Sequence, residues 1–382
     1  MYSGREPGLR GRPELIQGTS KYAGYTSTKI GWFKASSFPG LSTLPMSMQS
    51  AVIKACNNSI SKNTWASYGS VKGHLLKCQR KLGQRFAFPM GEPQIIVFVA
   101  YLLSSEKLKA ASVENLLSAL RMMHLSEGYF APTLRPDTVK LLLRGRGNHD
   151  ALLARSQPGR LPVTLEVMEL IRLTLRLDRS KDDKEKAVIW AICTLAFTGG
   201  FRIGELLSKK ARSIDPDFDL QKKNILHVTR QVGGVSKQLL VVTLKCPKET
   251  RQNKVAVRVE VFSNRTRFCP VSAYLDYVKK VGVRDENSAA FRVPNSGNAF
   301  RHQRLNLELK KMLEPVISYG AISGHSFRSG MATLMGRAGF EDAEIQACGR
   351  WSSSAFLRYI KMGRLTRSRW ADRLSSFIES AI

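Results

Sequence analysis

Acidic residues are scarce in this chain of 382 residues. Lysine and arginine together number 60, whereas aspartate and glutamate number 30, which gives a formal charge of +30 at pH 7 and a pI near 10.2. A field of this sign and size attracts polyanions, so nucleic acid is the expected partner. A basic protein that binds no polyanion is the alternative on charge alone.

Long hydrophobic runs are also missing. The longest lies in PQIIVFVAYLLSS and covers about half of the ~20 residues that a membrane-spanning helix needs, and the N-terminus has no signal-peptide pattern. No C-x-x-C pair or neighbouring histidine pattern accompanies the six cysteines, which disfavours disulfides and zinc sites; they are Cys56, Cys78, Cys193, Cys246, Cys269 and Cys348. We therefore expect a soluble, intracellular protein with reduced thiols and no membrane contact.

The chain has room for two domains. Residues 1–46 are rich in Gly, Ser, Pro and Thr without periodicity and predict a flexible basic arm. Residues 47–150 carry successive helical patterns and predict an all-helical domain, with His124 on an apolar stripe and hence in its core. Residues 151–163 contain two prolines and predict a linker, and residues 164–382 predict a second domain.

The second domain combines helical and strand patterns. The helical patterns TLEVMELIRLTLRL and DKEKAVIWAICTLAFTGG precede three β-branched runs, NILHVT, QLLVVTL and VAVRVEV, which predict a small antiparallel sheet. Helical patterns resume at CPVSAYLDYVKKVG, and SRWADRLSSFIESAI predicts an amphipathic C-terminal helix that packs on its own chain or on a neighbour. The predicted fold class is mainly α with a small antiparallel β-sheet, in which a helical domain is followed by a mixed α+β domain.

Basic residues cluster in and after the first long helix of the helical domain. They are Lys62, Lys72, Lys77, Arg80, Lys81 and Arg85. Such a cluster could follow a phosphate backbone, and a solvated basic face is the alternative. The overall charge favours DNA binding.

An arginine in an apolar context and a lysine-rich hairpin stand out in the second domain. In TGGFRIGELL, Arg202 begins a helix and needs an anion, either Glu205 or a ligand phosphate, because an unpaired buried charge is costly. The hairpin VVTLKCPKETRQNKVAVRV carries Lys245, Lys248 and Lys254. On their own, these lysines would be interpreted as solvated edge charges.

Two further motifs follow towards the C-terminus. In SGHSFRSGMA, His325 and Arg328 can point to one site if Ser326 opens a helix, whose free backbone amides also favour an anion. In GRWSSSAFLRYIK, Trp351 supplies an indole N–H and Tyr359 a phenol with an ordinary pKa near 10. A phenol becomes a usable nucleophile only where cationic groups stabilise the phenolate and the attacked phosphate.

The order of these motifs resembles that of the tyrosine recombinase (phage-integrase) superfamily. The sequence GRWSSSAFLRYIK is most similar to the corresponding motif of the superfamily's eukaryotic mobile-element branch, the Crypton and DIRS-like recombinases. The resemblance extends from about residue 47 onward and implies a helical core-binding (SAM-like) domain followed by a catalytic domain.

The resemblance also implies a role for each motif residue. Arg202 and Arg328 match the family's phosphate-binding arginines, and His325 matches the histidine of the H-x-x-R motif. Trp351 occupies a position that is histidine or tryptophan in relatives, and Tyr359 matches the nucleophile. Glu205 matches an acidic residue that orients the site. Lys248 best matches the general acid on the leaving 5′ oxygen, although Lys245 is close enough to compete. The spacing from Trp351 to Tyr359 is eight residues, whereas many phage-type members have nine.

The implied reaction is cleavage and rejoining of double-stranded DNA through a 3′-phosphotyrosyl link, without metal, ATP or another cofactor. Family members act as synaptic tetramers that exchange a C-terminal helix, and the stripe of Trp370 and Phe377 is a candidate for it. Delivery of Tyr359 in cis or in trans is left open. A domesticated DNA-binding protein without strand exchange and type IB topoisomerase-like relaxation are the alternatives, and nuclear location is expected if the host is eukaryotic.

Overall fold

The computed structural model describes residues 32–104, 107–130, 134–156, 161–245, 255–282, 285–317, 322–358 and 360. The chain divides into two compact units, Met1–Gln157 and Pro158–Ile382. This division falls within residues 151–163, the predicted linker.

The regular secondary structure in the described residues of the first unit is entirely helical. Its helices are α1 (Met46–Asn58), α2 (Lys62–Tyr68), α3 (Ser70–Leu82), α4 (Glu92–Ser104), α5 (Ala110–Ser126) and α6 (Asp137–Ser156). The apolar run predicted to be a buried helix forms α4, whose Ile95, Phe98 and Val99 are fully buried. The helix therefore forms the centre of a core to which α3, α5 and α6 contribute.

His124 lies in this core, as predicted, and both of its ring nitrogens are engaged. The side chain is fully buried, its Nε2 accepts a hydrogen bond from the backbone N–H of Met90 at 3.0 Å, and its Nδ1 lies 2.9 Å from the carbonyl oxygen of Leu120. This pattern assigns the proton to Nδ1. Burial lowers the pKa of His124, which favours the neutral imidazole.

Two predicted boundaries differ from the structure. The arm does not extend to residue 46: Phe33 and Leu41 are buried, and Trp32 packs against Trp65, with ring centroids 5.2 Å apart. This segment is irregular and is held in place by aromatic contacts instead of by a regular helix or strand. Its sequence therefore has no periodic pattern from which its order could be predicted. Likewise, α6 continues to Ser156, beyond the expected end at residue 150.

The second unit combines helices with one small sheet. Its elements are α7 (Leu165–Leu177), α8 (Asp183–Thr198), α9 (Ile203–Leu206), β1 (Ile225–Val232), β2 (Val235–Leu244), β3 (Val257–Phe262), α10 (Pro270–Val281), α11 (His302–Leu313), α12 (Ser326–Ala338) and α13 (Asp342–Gly349). After a charged first turn, helix α8 is nearly all apolar from Ala187 onward and is buried along most of that length. It packs against α7, α10 and α12 and forms the centre of the core.

The three strands form an antiparallel sheet in the order β1-β2-β3, which confirms the prediction. Between β1 and β2, Gly233 and Gly234 form a two-residue turn with φ of 58° and 74°. Positive φ at both positions is the requirement of a tight hairpin turn, which glycine meets without strain. The connection from β2 to β3 contains residues 246–254, which lie outside the described ranges.

Across the described ranges, no helix combines the length and apolarity needed to cross a membrane. The cysteines in these ranges are free thiols.

Candidate active site

A glycine pair delivers Arg202 to the start of α9. Helix α8 ends at Thr198, and Gly200 then adopts a φ of 57°. A Cβ atom at Gly200 would lie 2.4 Å from the Cε of Met331 in α12, which is the flexible end of a side chain, so the positive φ is what favours glycine at this position. The pair therefore provides the turn that leads from α8 to α9 beside α12.

Arg202 and Glu205 form a closed pair at this turn. The carboxylate of Glu205 accepts the backbone N–H of Arg202 at 3.0 Å and its guanidinium Nη1 at 2.8 Å. The Arg202 side chain is 26% exposed, while that of Glu205 is 9% exposed. Glu205 is therefore the anion that the apolar context of Arg202 required, and about a quarter of the Arg202 side chain stays exposed to solvent.

The H-x-x-R motif begins α12, and Ser326 is the first residue of this helix, which was the condition for His325 and Arg328 to point to one site. His325 is the half-buried N-cap residue, and Arg328 is fully buried one turn into the helix. A Cβ atom at Gly324 would lie 2.9 Å from the Cβ of Ile203. Because Gly324 precedes His325 and Ile203 follows Arg202, the two arginine motifs meet in space.

Arg350 connects the two motifs, and the sequence reading missed it. Its Nη2 donates to Oε2 of Glu205 at 2.9 Å, and its Nη1 donates to the carbonyl oxygen of Gly199 at 3.0 Å. Its guanidinium carbon lies 4.8 Å from the ring centroid of Phe201. Its own carbonyl oxygen accepts a hydrogen bond from Nη2 of Arg328 at 3.0 Å. One residue therefore holds the Arg202–Glu205 pair with its side chain and Arg328 with its backbone.

The backbone of Arg350 is itself unusual, with a φ of 55°. The left-handed region costs a non-glycine residue about 1–2 kcal/mol. Arg350 ends α13 in this conformation, which turns the chain so that side chain and carbonyl face the two motifs. In the sequence, a non-glycine residue after a helix does not by itself indicate a left-handed backbone or a structural role. The importance of Arg350 is therefore seen only from its contacts.

The charges of this cluster do not cancel. Among the described residues, the three guanidiniums of Arg202, Arg328 and Arg350 meet one carboxylate, that of Glu205, which pairs with Arg202 and Arg350. Glu205 thus orients Arg202 without neutralising the site. Two planar guanidiniums with residual positive charge suit an oxyanion with several oxygens, such as a phosphate.

Trp351 packs directly over Arg328. The guanidinium carbon of Arg328 lies 4.6 Å from the indole ring centroid, and the indole lies 5.8 Å from the ring of Phe356. Phe356 is buried with Ile345 and Ala332 in a small separate core. The indole and the carbonyl oxygen of Arg350 therefore both restrict the rotamer of Arg328.

Tyr359 and Lys248 lie outside the described residues, but the segments leading to them are described. A 3₁₀ turn, Ser354–Arg358, precedes residue 359, and Ile360 packs against Gly336 of α12, where an added Cβ would lie 2.9 Å from its Cγ2. At the end of β2, Nζ of Lys245 donates to the carbonyl oxygen of Pro216 at 2.7 Å and to Oε1 of Gln221 at 3.2 Å.

The predicted DNA-binding residues belong to the other unit. Lys77, Arg80, Lys81 and Arg85 are exposed on or just after α3, whereas Lys72 is half-buried and burial lowers its pKa. Lys62 begins α2, and its side chain lies outside the described residues.

Neither a family model nor a curated protein matches this chain. Among solved structures, it is similar to the XerH site-specific recombinase in a post-cleavage complex with palindromic difH substrate, at 14% identity, 91% coverage of each chain and a TM-score of 0.52. It is also similar to the integrase of the Tn1549 transposon in complex with transposon right-end DNA, at 16% identity, 83% coverage of this chain, 95% of that chain and a TM-score of 0.52. This chain has the fold of these recombinases. The predicted fold class, mainly α with a small antiparallel sheet, is therefore confirmed.

Proposed function

We propose that this protein is a site-specific DNA recombinase of the tyrosine recombinase type, which cleaves and rejoins DNA through a 3′-phosphotyrosyl intermediate. The observation that carries the proposal is the joint fixation of Arg202, Glu205 and Arg328 by Arg350. Scattered surface arginines would not need a shared buried support. The fold that the chain has in common with a site-specific recombinase and a transposon integrase supports the same conclusion.

In this proposal, Arg202 and Arg328 bind the non-bridging oxygens of the scissile phosphate. Charge builds up on these oxygens as the phosphate becomes five-coordinate, so fixed guanidiniums stabilise the transition state more than the ground state. Arg328 is suited to this role because it is fully buried and is held by the Trp351 ring and by the carbonyl oxygen of Arg350. Its position is set before the DNA arrives, which avoids reorganisation during the reaction.

Tyr359 is the proposed nucleophile. Its phenol oxygen attacks phosphorus, the bond from phosphorus to the 5′ oxygen breaks, and the DNA 3′ end remains joined to the tyrosine. The phenol proton passes to His325, the half-buried imidazole at the start of α12. A 5′ hydroxyl of another strand then attacks the phosphotyrosine and releases Tyr359, so the bond energy is conserved throughout.

Lys248 is the proposed general acid, which protonates the leaving 5′ oxygen. The described contacts of Lys245 favour this choice, because its ammonium is already held by Pro216 and Gln221 beside the sheet. A lysine further along the connection would be available to reach the DNA.

The remaining features of the resemblance belong to the same proposal. We assign the protein to a mobile element of the Crypton or DIRS-like type, acting in the nucleus of its host. Four copies assemble on two DNA sites and exchange their C-terminal helices. Lys62, Lys72, Lys77, Arg80, Lys81 and Arg85 bind the DNA in this assembly.

A suicide DNA substrate tests the proposal. A duplex with a nick or a bridging sulfur near the cleavage site should trap a covalent protein–DNA adduct, visible as a band of reduced mobility in a denaturing gel. Tyr359→Phe should abolish the adduct, whereas Tyr129→Phe, at an exposed position in the helical unit, should form it normally.

The outcomes separate the alternatives. An adduct with the Tyr359→Phe variant would identify another nucleophile. DNA binding without any adduct from the parent would favour a DNA-binding protein without strand exchange. Relaxation of supercoiled DNA by monomers, without joining of two duplexes, would favour topoisomerase-like activity.

A further inference from the structure

Helix α3 contains a glycine that its own fold does not require. Gly73 lies inside this 13-residue helix, is exposed, and a Cβ atom there would meet no other atom within 4 Å. Its backbone is not in the left-handed region, so alanine would fit without strain. A glycine inside a helix is destabilising relative to alanine. The chain therefore carries a destabilising residue here for no internal reason.

Other glycines of the chain make the contrast clear. An added Cβ would lie 2.9 Å from the Cβ of Ile203 at Gly324 and 1.9 Å from the carbonyl oxygen of Val163 at Gly330. At those positions the fold needs the close approach. At Gly73 the space lies open towards the solvent, so the close approach would be made by a different molecule.

The charges around Gly73 indicate which molecule. Val71, Leu75 and Cys78 are the buried positions of α3, and Gly73 lies on the opposite side with Lys77 and Arg80, at i, i+4 and i+7. Lys77 and Arg80 are exposed. The whole segment from residue 15 to residue 91 contains no aspartate or glutamate, while it holds ten lysines and arginines. Within this segment, an anion close to Gly73 would meet cations and no carboxylate.

We propose that the face of α3 formed by Gly73, Lys77 and Arg80 lies directly against duplex DNA, with Gly73 as the point where the helix backbone comes closest to the sugar–phosphate chain. The proposal rests on the proposed function for the identity of the ligand. Without a side chain at residue 73, the helix sits deeper against the duplex. The cations at i+4 and i+7, roughly 6 Å and 10.5 Å further along the helix axis, then reach the phosphates.

Gly73→Ala in the full-length chain tests this directly, because it should have opposite effects on stability and on binding. The added methyl group should raise the melting temperature of the helical unit by about 2–4 °C, since alanine favours the helix. The same methyl group should weaken binding to a fluorescent DNA duplex roughly fivefold or more, because it holds the helix away from the phosphates. Affinity is measured at fixed salt, since phosphate contacts depend strongly on salt.

Gly145→Ala is the matched control. Gly145 is also an exposed glycine inside a helix, α6, with no atom within 4 Å of an added Cβ. The Gly145→Ala substitution should raise the melting temperature in the same way and leave the affinity for DNA unchanged. Equal losses of affinity in both variants would show that Gly73 has no special role.

The remaining outcomes are also decisive. A lower melting temperature for Gly73→Ala would show that the fold requires this glycine, which overturns the inference. Parent-like DNA binding by Gly73→Ala, together with adduct formation, would overturn the inference and leave the proposed function intact. A parent that binds duplex RNA in preference to DNA, or binds neither, would overturn both.

Discussion

Replacement of Arg350 should damage the fold and the proposed site together. Its side chain is 14% exposed, and that of its partner Glu205 is 9% exposed. Removing the side chain loses a charge-assisted hydrogen bond of about 1.5–3 kcal/mol to Glu205 and one of about 1 kcal/mol to the carbonyl of Gly199. Loss of the stacking on Phe201 adds about 0.5–1 kcal/mol. Arg350→Ala should therefore reduce the unfolding free energy by about 3–5 kcal/mol.

The backbone conformation supplies an internal check on this magnitude. Residue 350 has a φ of 55°, which alanine adopts at a cost of about 1–2 kcal/mol and glycine adopts without cost. Arg350→Gly loses the same side-chain contacts as Arg350→Ala. It should therefore be more stable than the alanine variant by about 1–2 kcal/mol. Urea unfolding of the three proteins, followed by circular dichroism, measures both differences.

The effect of removing Arg350 on DNA cleavage should follow from the loss of its positive charge. Without Arg350, the site carries one positive charge fewer, while the carboxylate of Glu205 still pairs with Arg202 beside the phosphate. Adduct formation on the suicide duplex should slow by an order of magnitude or more. Adding Glu205→Gln to Arg350→Gly restores the lost positive charge, and the double variant should regain part of the rate. A purely structural role for Arg350 would not produce this rescue.

Arg292→Ala is the control for this series. Its guanidinium also donates to a glycine carbonyl, that of Gly297, but no ion pair with a carboxylate is described for it. This variant should keep the parent rate of adduct formation. If Arg350→Ala matched the parent in unfolding free energy and in adduct formation, the assignment of Arg350 as the residue that supports both motifs would be refuted.

Two further predictions concern protons. The Lys248→Ala variant should cleave ordinary DNA more slowly than the parent, but it should cleave a 5′-bridging-sulfur duplex at the parent rate, because a thiolate leaves without a proton. The same pattern in the Lys245→Ala variant would identify Lys245 as the general acid. The helical unit should lose stability as pH falls below about 6.5, because burial lowers the pKa of both His74 and His124 in the folded state and the unfolded chain binds their protons more readily. Thermal melts between pH 7.5 and 5 should show a weaker pH dependence in His124→Gln, and an equal dependence would assign the effect to other groups.

Local patterns in the sequence predicted most of the fold. The apolar run of α4, the nearly continuous apolar pattern of α8 and the three β-branched runs each depend on residues within a few positions of one another. The start of α12 at Ser326 followed from the same kind of signal. Interactions at this range are repeated along an element, so periodicity exposes them.

The first unit shows where such patterns fail. Residues 32–45 have no repeating pattern, yet Phe33 and Leu41 are buried. Their order comes from contacts with distant residues, such as the hydrogen bond from the backbone N–H of Phe33 to Oδ1 of Asn57. Segments of this kind resemble a disordered arm in sequence because their partners are not neighbours in the chain.

By itself, the sequence determined the basic charge, the types of the main elements and the order of the motifs that carry Arg202, Arg328 and Tyr359. Only the tertiary structure decided that Arg350 holds the two arginine motifs together. Its guanidinium reaches Glu205 and Gly199, which are 145 and 151 residues away along the chain. No periodicity connects residues at such separations, since their contact exists only once the core around α8 has packed and the left-handed turn at residue 350 has closed.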